Sequence, residues 1–140
     1  MYMYEKMRAH ARELSEDDML LRHDLSARLM YGVKCEVSDL HICKTYELTG
    51  IYTDGCEFEH NGAFYGFDSF TIKPYLRKMS SMTEEERDEY HRLQHDVWHS
   101  DMHPTYYDSV NSIDWLLENH FDFRGLIEKG LAIEAPELFL

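Results

Sequence analysis

Four histidines recur at every fourth position: His91, His95, His99 and His103. On a helix, side chains four residues apart share a face with Cβ atoms about 6 Å apart, so two imidazoles there can grip one divalent cation. Asp96 or Asp101 would add a carboxylate, and the chemistry would be metal-assisted hydrolysis. The missing part is the general base. A hydrolytic helix of this kind carries H-E-x-x-H, whereas His95-Asp96 followed by His99 reads H-D-x-x-H with a shorter carboxylate. Pro104 also breaks the helix beyond His99. His91, His95 and His99 are the metal candidates, and a histidine-decorated exposed acidic face is the competing reading. No cofactor is expected.

Nucleophilic chemistry has less to draw on. No G-x-S-x-G elbow occurs, nor a phosphate-cradling G-x-x-x-x-G-K-[ST] or G-x-G-x-x-G loop. Cys35, Cys43 and Cys56 are odd in number and show no C-x-x-C spacing. That usage fits reduced thiols serving as small buried hydrophobes on strands. Carboxylate pairs are abundant, but with 27 acids in 140 residues coincidence supplies them.

Cations are scarcer and so more informative, at 14. Lys73, Arg77 and Lys78 cluster around Pro74-Tyr75, and Arg124 sits between Phe123 and Gly125. Cations beside exposed aromatics hold a phosphate or a nucleotide base by charge and stacking. Lys73, Tyr75, Arg77 and Arg124 are therefore the candidate ligand-binding residues. The alternative is that they pair with neighbouring acids.

The net charge of −13 bears on partners. Residues 83–140 hold 14 acidic and 4 basic side chains, a net of −10. Such a field repels phosphate backbones and anionic membranes, which argues against direct nucleic-acid or membrane binding. It leaves a solvated acidic surface, or attraction to a protein with a basic surface. The N-terminal residues lack the basic head and apolar stretch of a signal peptide, and no window nears the ~20 apolar residues of a membrane span. The expected compartment is the cytoplasm.

The elements that must position these residues read as one α+β domain over residues 1–140. Met3, Met7, Ala11 and Leu14 form a one-sided stripe, predicting an accessory N-terminal helix in residues 1–14 that docks on the domain or on a second copy. Ser15 and Asp18 form a near capping box, Leu21, Leu25 and Leu29 a core stripe, and Gly32 a stop, predicting a helix over residues 15–32. From Val33 the period becomes two, and an antiparallel sheet is expected over residues 33–78. On its second strand Ile42, Tyr46, Leu48 and Tyr52 share one parity. Asn61-Gly62 is a hairpin turn, because both residues tolerate the positive φ of a type I′ turn. Pro74 is expected to confine the fifth strand to an edge. The strands suggest a meander or a partly open barrel.

Thr83 with Glu86 makes a second capping box, opening a helix from Glu84 to His99 with Tyr90, Leu93 and Val97 inward. A further helix capped by Asp108 or Ser109 runs to about Glu118, burying Val110, Ile113, Leu116 and Leu117. A short strand, Leu131–Glu134, closes residues 83–140.

Three segments carry a resemblance: 24–35 (DLSARLMYGVKC), 72–86 (IKPYLRKMSSMTEEE) and 121–137 (FDFRGLIEKGLAIEAPE). Through them the chain resembles a family of small uncharacterised proteins from phages, prophages and mobile elements of gut Bacteroidales. Residues 1–14 and the histidine-rich segment 91–103 lie outside these motifs. The resemblance implies an accessory protein that binds a host protein, for instance as an acidic imitation of DNA. It implies no activity, and no catalytic residue carries over. A small-ligand binder using Arg77 and Arg124, and a metal-dependent enzyme using the histidine ladder, are the alternatives.

Overall fold

The computed structural model describes residues 15–37, 45–52, 55–67, 72–95 and 106–136. The expected N-terminal helix, Cys43, His99 and His103 fall outside them.

Helix α1 spans Glu16–Arg28 and begins as its sequence dictates. The Asp18 amide donates to Ser15 Oγ (3.2 Å) and the Ser15 amide to Asp18 Oδ2 (3.4 Å). Glu16, Asp17 and Asp18 occupy its first turn, where the helix dipole favours negative charge. A 3₁₀ turn, Leu29–Tyr31, ends at Gly32, whose φ of 70° is the left-handed conformation that closes a helix. The buried side chains of α1 are Leu21, Asp24, Leu25 and Arg28, so its inward stripe is half aliphatic and half ionic.

Four strands follow: β1 (Lys34–Val37), β2 (Tyr46–Tyr52), β3 (Gly55–His60) and β4 (Ala63–Phe67). They form an antiparallel meander in the order β4-β3-β2-β1. The β3–β4 turn has Asn61 at φ 50° and Gly62 at φ 80°, as a type I′ turn requires. Strand β5 (Ile72–Lys78) then crosses over to pair with β1 rather than β4, so the sheet stays open with β4 at one edge among the described residues. Strand β5 is not an edge, contrary to the expectation drawn from Pro74. Tyr75 pairs with Ile133 of β7 (Ile133–Glu134) and Arg77 with Phe121 of β6 (Phe121–Asp122), both in parallel. Pro74 is tolerated because this pairing begins one residue after it.

One shift of register alters which residues face out. The β2–β3 pairing slips between Leu48 and Gly50, so Ile51 lies opposite buried Cys56 and Tyr52 opposite Gly55. An extra residue in a strand reverses side-chain parity beyond it. Tyr52, expected on the face of Tyr46 and Leu48, is instead 55% exposed.

Two further helices lie among the described residues, α2 (Glu84–His95) and α3 (Tyr106–Glu118). The Glu86 amide donates to Thr83 Oγ1 (3.1 Å) and the Thr83 amide to Glu86 Oε1 (3.0 Å), the expected capping box. Helix α3 begins at Tyr106, so Asp108 and Ser109 lie within it rather than capping it. Ile113, expected inside, is 43% exposed, whereas Leu116 and Leu117 are buried.

Among the described residues the core has two parts. Leu21 and Leu25 of α1 pack with Val33, with Leu48, Phe58 and Leu76 of the sheet, and with Leu126. Full burial of one such aliphatic side chain stabilises by roughly 1.5–3 kcal/mol. Met82, Leu116 and Phe121 form the second part, with Tyr90 and Trp115 stacked beside it at 5.9 Å.

Candidate functional site

Arg28 and Asp24 are fully buried and four residues apart on α1. Asp24 Oδ2 accepts from Arg28 Nε (2.8 Å), and its Oδ1 accepts from Arg28 Nη2 (3.3 Å) and from Arg124 Nε (3.0 Å). Arg28 Nη2 also donates to the Phe121 carbonyl (2.6 Å). The Arg28 and Arg124 guanidinium groups lie 5.7 and 4.7 Å from the Phe123 ring centroid. A buried charge is tolerated only when paired and hydrogen-bonded, and here one carboxylate serves two arginines. The pairing ties α1 to a segment about a hundred residues downstream.

Arg77 is held in the same way. It makes two parallel bonds to Glu86, each 2.7 Å, and its guanidinium lies 4.2 Å from the Phe121 ring centroid. Arg77 beside Glu86 holds that carboxyl down at about 2, with the Thr83 amide helping. Thus Arg77 and Arg124, separated by 46 residues, both flank the Phe121–Phe123 segment, each committed to a carboxylate. Lys73 is exposed on β5 opposite Glu36, and Tyr75 is half-buried two residues on. Burial, then the Glu36 charge, pushes the Tyr75 phenol up.

His120 sits in this neighbourhood in a left-handed conformation, φ 62°, and its carbonyl accepts from the Arg77 amide (2.8 Å). Its Nδ1 is buried without a partner among the described residues. Burial, then Arg28, Arg77 and Lys34, pulls its imidazole below the ordinary 6.5. The folded protein therefore resists a proton that the unfolded chain accepts, and stability falls as pH drops below about 6.5. Glu86 acts in a lower window: its contribution is complete above about 4.5 and is lost as pH falls toward 2. Denaturant titrations from pH 8 to pH 3 are expected to show both losses. His120→Asn, a residue that tolerates this backbone conformation, is expected to remove only the upper one.

Of the histidine ladder, His99, His103 and the side chain of His95 lie outside the described residues. His91 is exposed on α2, and no group of three or more His, Cys, Asp or Glu side chains among the described residues is placed to hold a metal. Cys35 and Cys56 are buried, and burial pushes the Cys35 thiol far up, away from the reactive thiolate.

The other distinctive surface is the outer face of β2–β4. Register and the bulge place Glu47, Tyr52, Glu57, Glu59, Phe64 and Gly66 on it. Phe64 is 65% exposed, and β4 carries no charge. The Tyr52 hydroxyl donates to one Glu57 carboxylate oxygen (3.2 Å), and Thr49 Oγ1 shares its proton between the Glu57 carbonyl (3.1 Å) and the other carboxylate oxygen (3.3 Å). The Tyr52 carbonyl accepts from Arg22 Nη2 (2.7 Å), which fixes the strand end to α1. Beneath, Tyr46 packs edge-on against Phe58 (6.3 Å) and Tyr65 (5.7 Å), stiffening the hairpin. On the neighbouring strands Lys34 stands opposite Glu47 and Lys73 opposite Glu36, so the face is acidic toward the hairpin and mixed toward β1 and β5.

Several acids of residues 83–140 are used internally. Glu89 pairs with Arg92 (2.6 Å), Glu134 with Lys78 (3.5 Å), and the Asp122 carboxylate accepts from the Leu126 and Ile127 amides, both 2.9 Å. Sequence reasoning missed Asp24 and Arg28. Their signal is phase: positions 24 and 28 fall on the stripe of Leu21 and Leu25, where a solvated charge has no place. It also missed Phe64, which an alternating hairpin does not mark as exposed.

No family model matches the chain, and no curated protein or solved structure matches it. Among the described residues no helix is long and apolar enough to cross a membrane.

Proposed function

We propose that this protein is a cytoplasmic accessory protein of a mobile element that acts by binding a host protein of basic character. The outer face of β2–β4 is the contact. One observation carries this reading: Phe64 of the uncharged edge strand β4 and Tyr52 of β2 stand exposed among Glu47, Glu57 and Glu59. Edge strands that meet no partner are normally blunted by lysine, proline or an inward charge, and β4 has none of these. Exposed aromatics framed by carboxylates suit arginine and lysine, by cation–π contact and charge. The resemblance of residues 24–35, 72–86 and 121–137 to small proteins of phages and prophages supports the mobile-element context.

The test is photo-crosslinking in a bacterial host, with p-benzoylphenylalanine at position 64 and, as a control, at position 30. Met30 is 88% exposed and lies outside the proposed face. A discrete adduct from position 64 alone, mapping to a basic segment and lost with Glu57→Lys, is the expected result. Identical adducts from both positions, or none from position 64, would overturn the reading.

A further inference from the structure

The hairpin register defines a more specific site. Ala63 pairs with His60 across a two-residue type I′ turn, which makes 60/63 a hydrogen-bonded pair. The alternation then makes 58/65 hydrogen-bonded and leaves 59/64 and 57/66 non-bonded. The backbone N–H and C=O groups of Phe64 and Gly66 therefore point to the free edge, away from β3. Among the described residues no strand pairs with that edge. On the outer face the same two residues form a shape: the Phe64 ring stands up, and Gly66 leaves a notch. A Cβ added at Gly66 meets nothing within 4 Å, so the notch is open space. Directly beyond it in register lies Glu57, its carboxylate held by Thr49 and Tyr52.

From this we infer that β4 accepts an extended peptide as an added antiparallel strand, with an arginine or lysine seated opposite Gly66. Resting on the proposed protein-binding role, the inference names the form and chemistry of the partner. The incoming backbone bonds to Phe64 and Gly66. Its cationic side chain crosses the Gly66 notch beside the Phe64 ring and reaches Glu57. Two inter-strand spacings separate these backbones, about 10 Å, a gap that a long cationic stem and a glutamate close together. Affinity comes from main-chain bonds and specificity from the notch, which is how strand addition recognises peptides in general. A second copy of this chain is the less suited occupant. It would bring more negative charge to an acidic face and would seat a neutral residue against Glu57.

The probe is a fluorescein-labelled peptide, Thr-Arg-Val-Arg-Val-Arg-Thr, acetylated and amidated, titrated with the full chain and read by fluorescence anisotropy. Micromolar binding that weakens with salt is expected. N-methylation of the arginine amides should abolish it by removing the donors to the edge, whereas N-methylation of the valine amides should not. Glu57→Gln should weaken binding about tenfold, equivalent to about 1.4 kcal/mol. Gly66→Val, which fills the notch in a strand-compatible backbone, should weaken it comparably while circular dichroism stays unchanged. The inference is overturned if the peptide does not bind, if its glutamate counterpart binds equally, or if arginine N-methylation or Glu57→Gln has no effect. A dimer in sedimentation velocity that Gly66→Val dissolves would also overturn it, making a second copy the occupant. An adduct from position 64 without peptide binding leaves the protein-binding face standing and removes strand addition. Failure of both removes the reading as well.

Discussion

Asp24→Ala is expected to cost about 3–5 kcal/mol of stability, because it leaves the Arg28 guanidinium buried with its counter-charge removed. At roughly 4 °C per kcal/mol for a chain of this size, the midpoint of thermal unfolding should fall by about 12–20 °C. The loss has two sources. Asp24 accepts from Arg28 and from Arg124, so deleting it abandons two cations at once. Arg28 keeps its bond to the Phe121 carbonyl, but its Nη1 already lacks a partner among the described residues. Replacing both members of the α1 pair with apolar residues, Asp24→Leu with Arg28→Met, should cost far less than the two single changes together. Coupled buried charges are non-additive in this sense. A double variant as unstable as the sum of the singles would show that the pair is not coupled. Calorimetry at neutral pH on the four proteins decides the point.

Phe121→Ala is the second large effect, expected at about 3–5 kcal/mol. Phe121 has no exposed surface and stacks on Trp115 at 5.6 Å. Its ring carries the Arg77 guanidinium on the way to Glu86. Removing it opens a cavity between α2, α3 and β6 and takes away the surface against which Arg77 is held. Phe121→Leu retains much of the volume but not the ring face, and should lose about 1–1.5 kcal/mol. Guanidinium titrations followed by far-UV and near-UV circular dichroism are the measurement. A fall in midpoint at constant slope would place the effect in native stability. If the near-UV transition moved alone, the second core cluster would be unfolding apart from the sheet, and the coupling drawn through Arg28 and Phe121 would be refuted.

These two residues explain why the cationic candidates resist a simple assignment. Arg77 and Arg124 do converge, as scarce cations around aromatics suggested, yet both are bonded to carboxylates of α1 or α2. The cluster holds the segment after α3 against α1 and β5. The contact proposed above lies at the opposite edge of the sheet, on β4.

What the sequence determined by itself is local. The two capping boxes, the Gly32 stop and the Asn61-Gly62 hairpin follow from side chains bonding backbone a few residues away and from φ preferences of single residues. The α+β composition follows from the change of hydrophobic period at Val33 and back again at Thr83. The tertiary structure decided everything that depends on partners distant in the chain. It placed β5 beside β1, with β6 and β7 covering its other side, so Pro74 does not mark an edge. It put the bulge at Leu48–Gly50, which turns Ile51 inward and Tyr52 outward. It buried Asp24 and Arg28 by bringing Phe121 and Arg124 to them across more than ninety residues. A hydrogen bond to a near neighbour is set by local geometry, but the cost of burying a charge depends on what the rest of the chain brings to it.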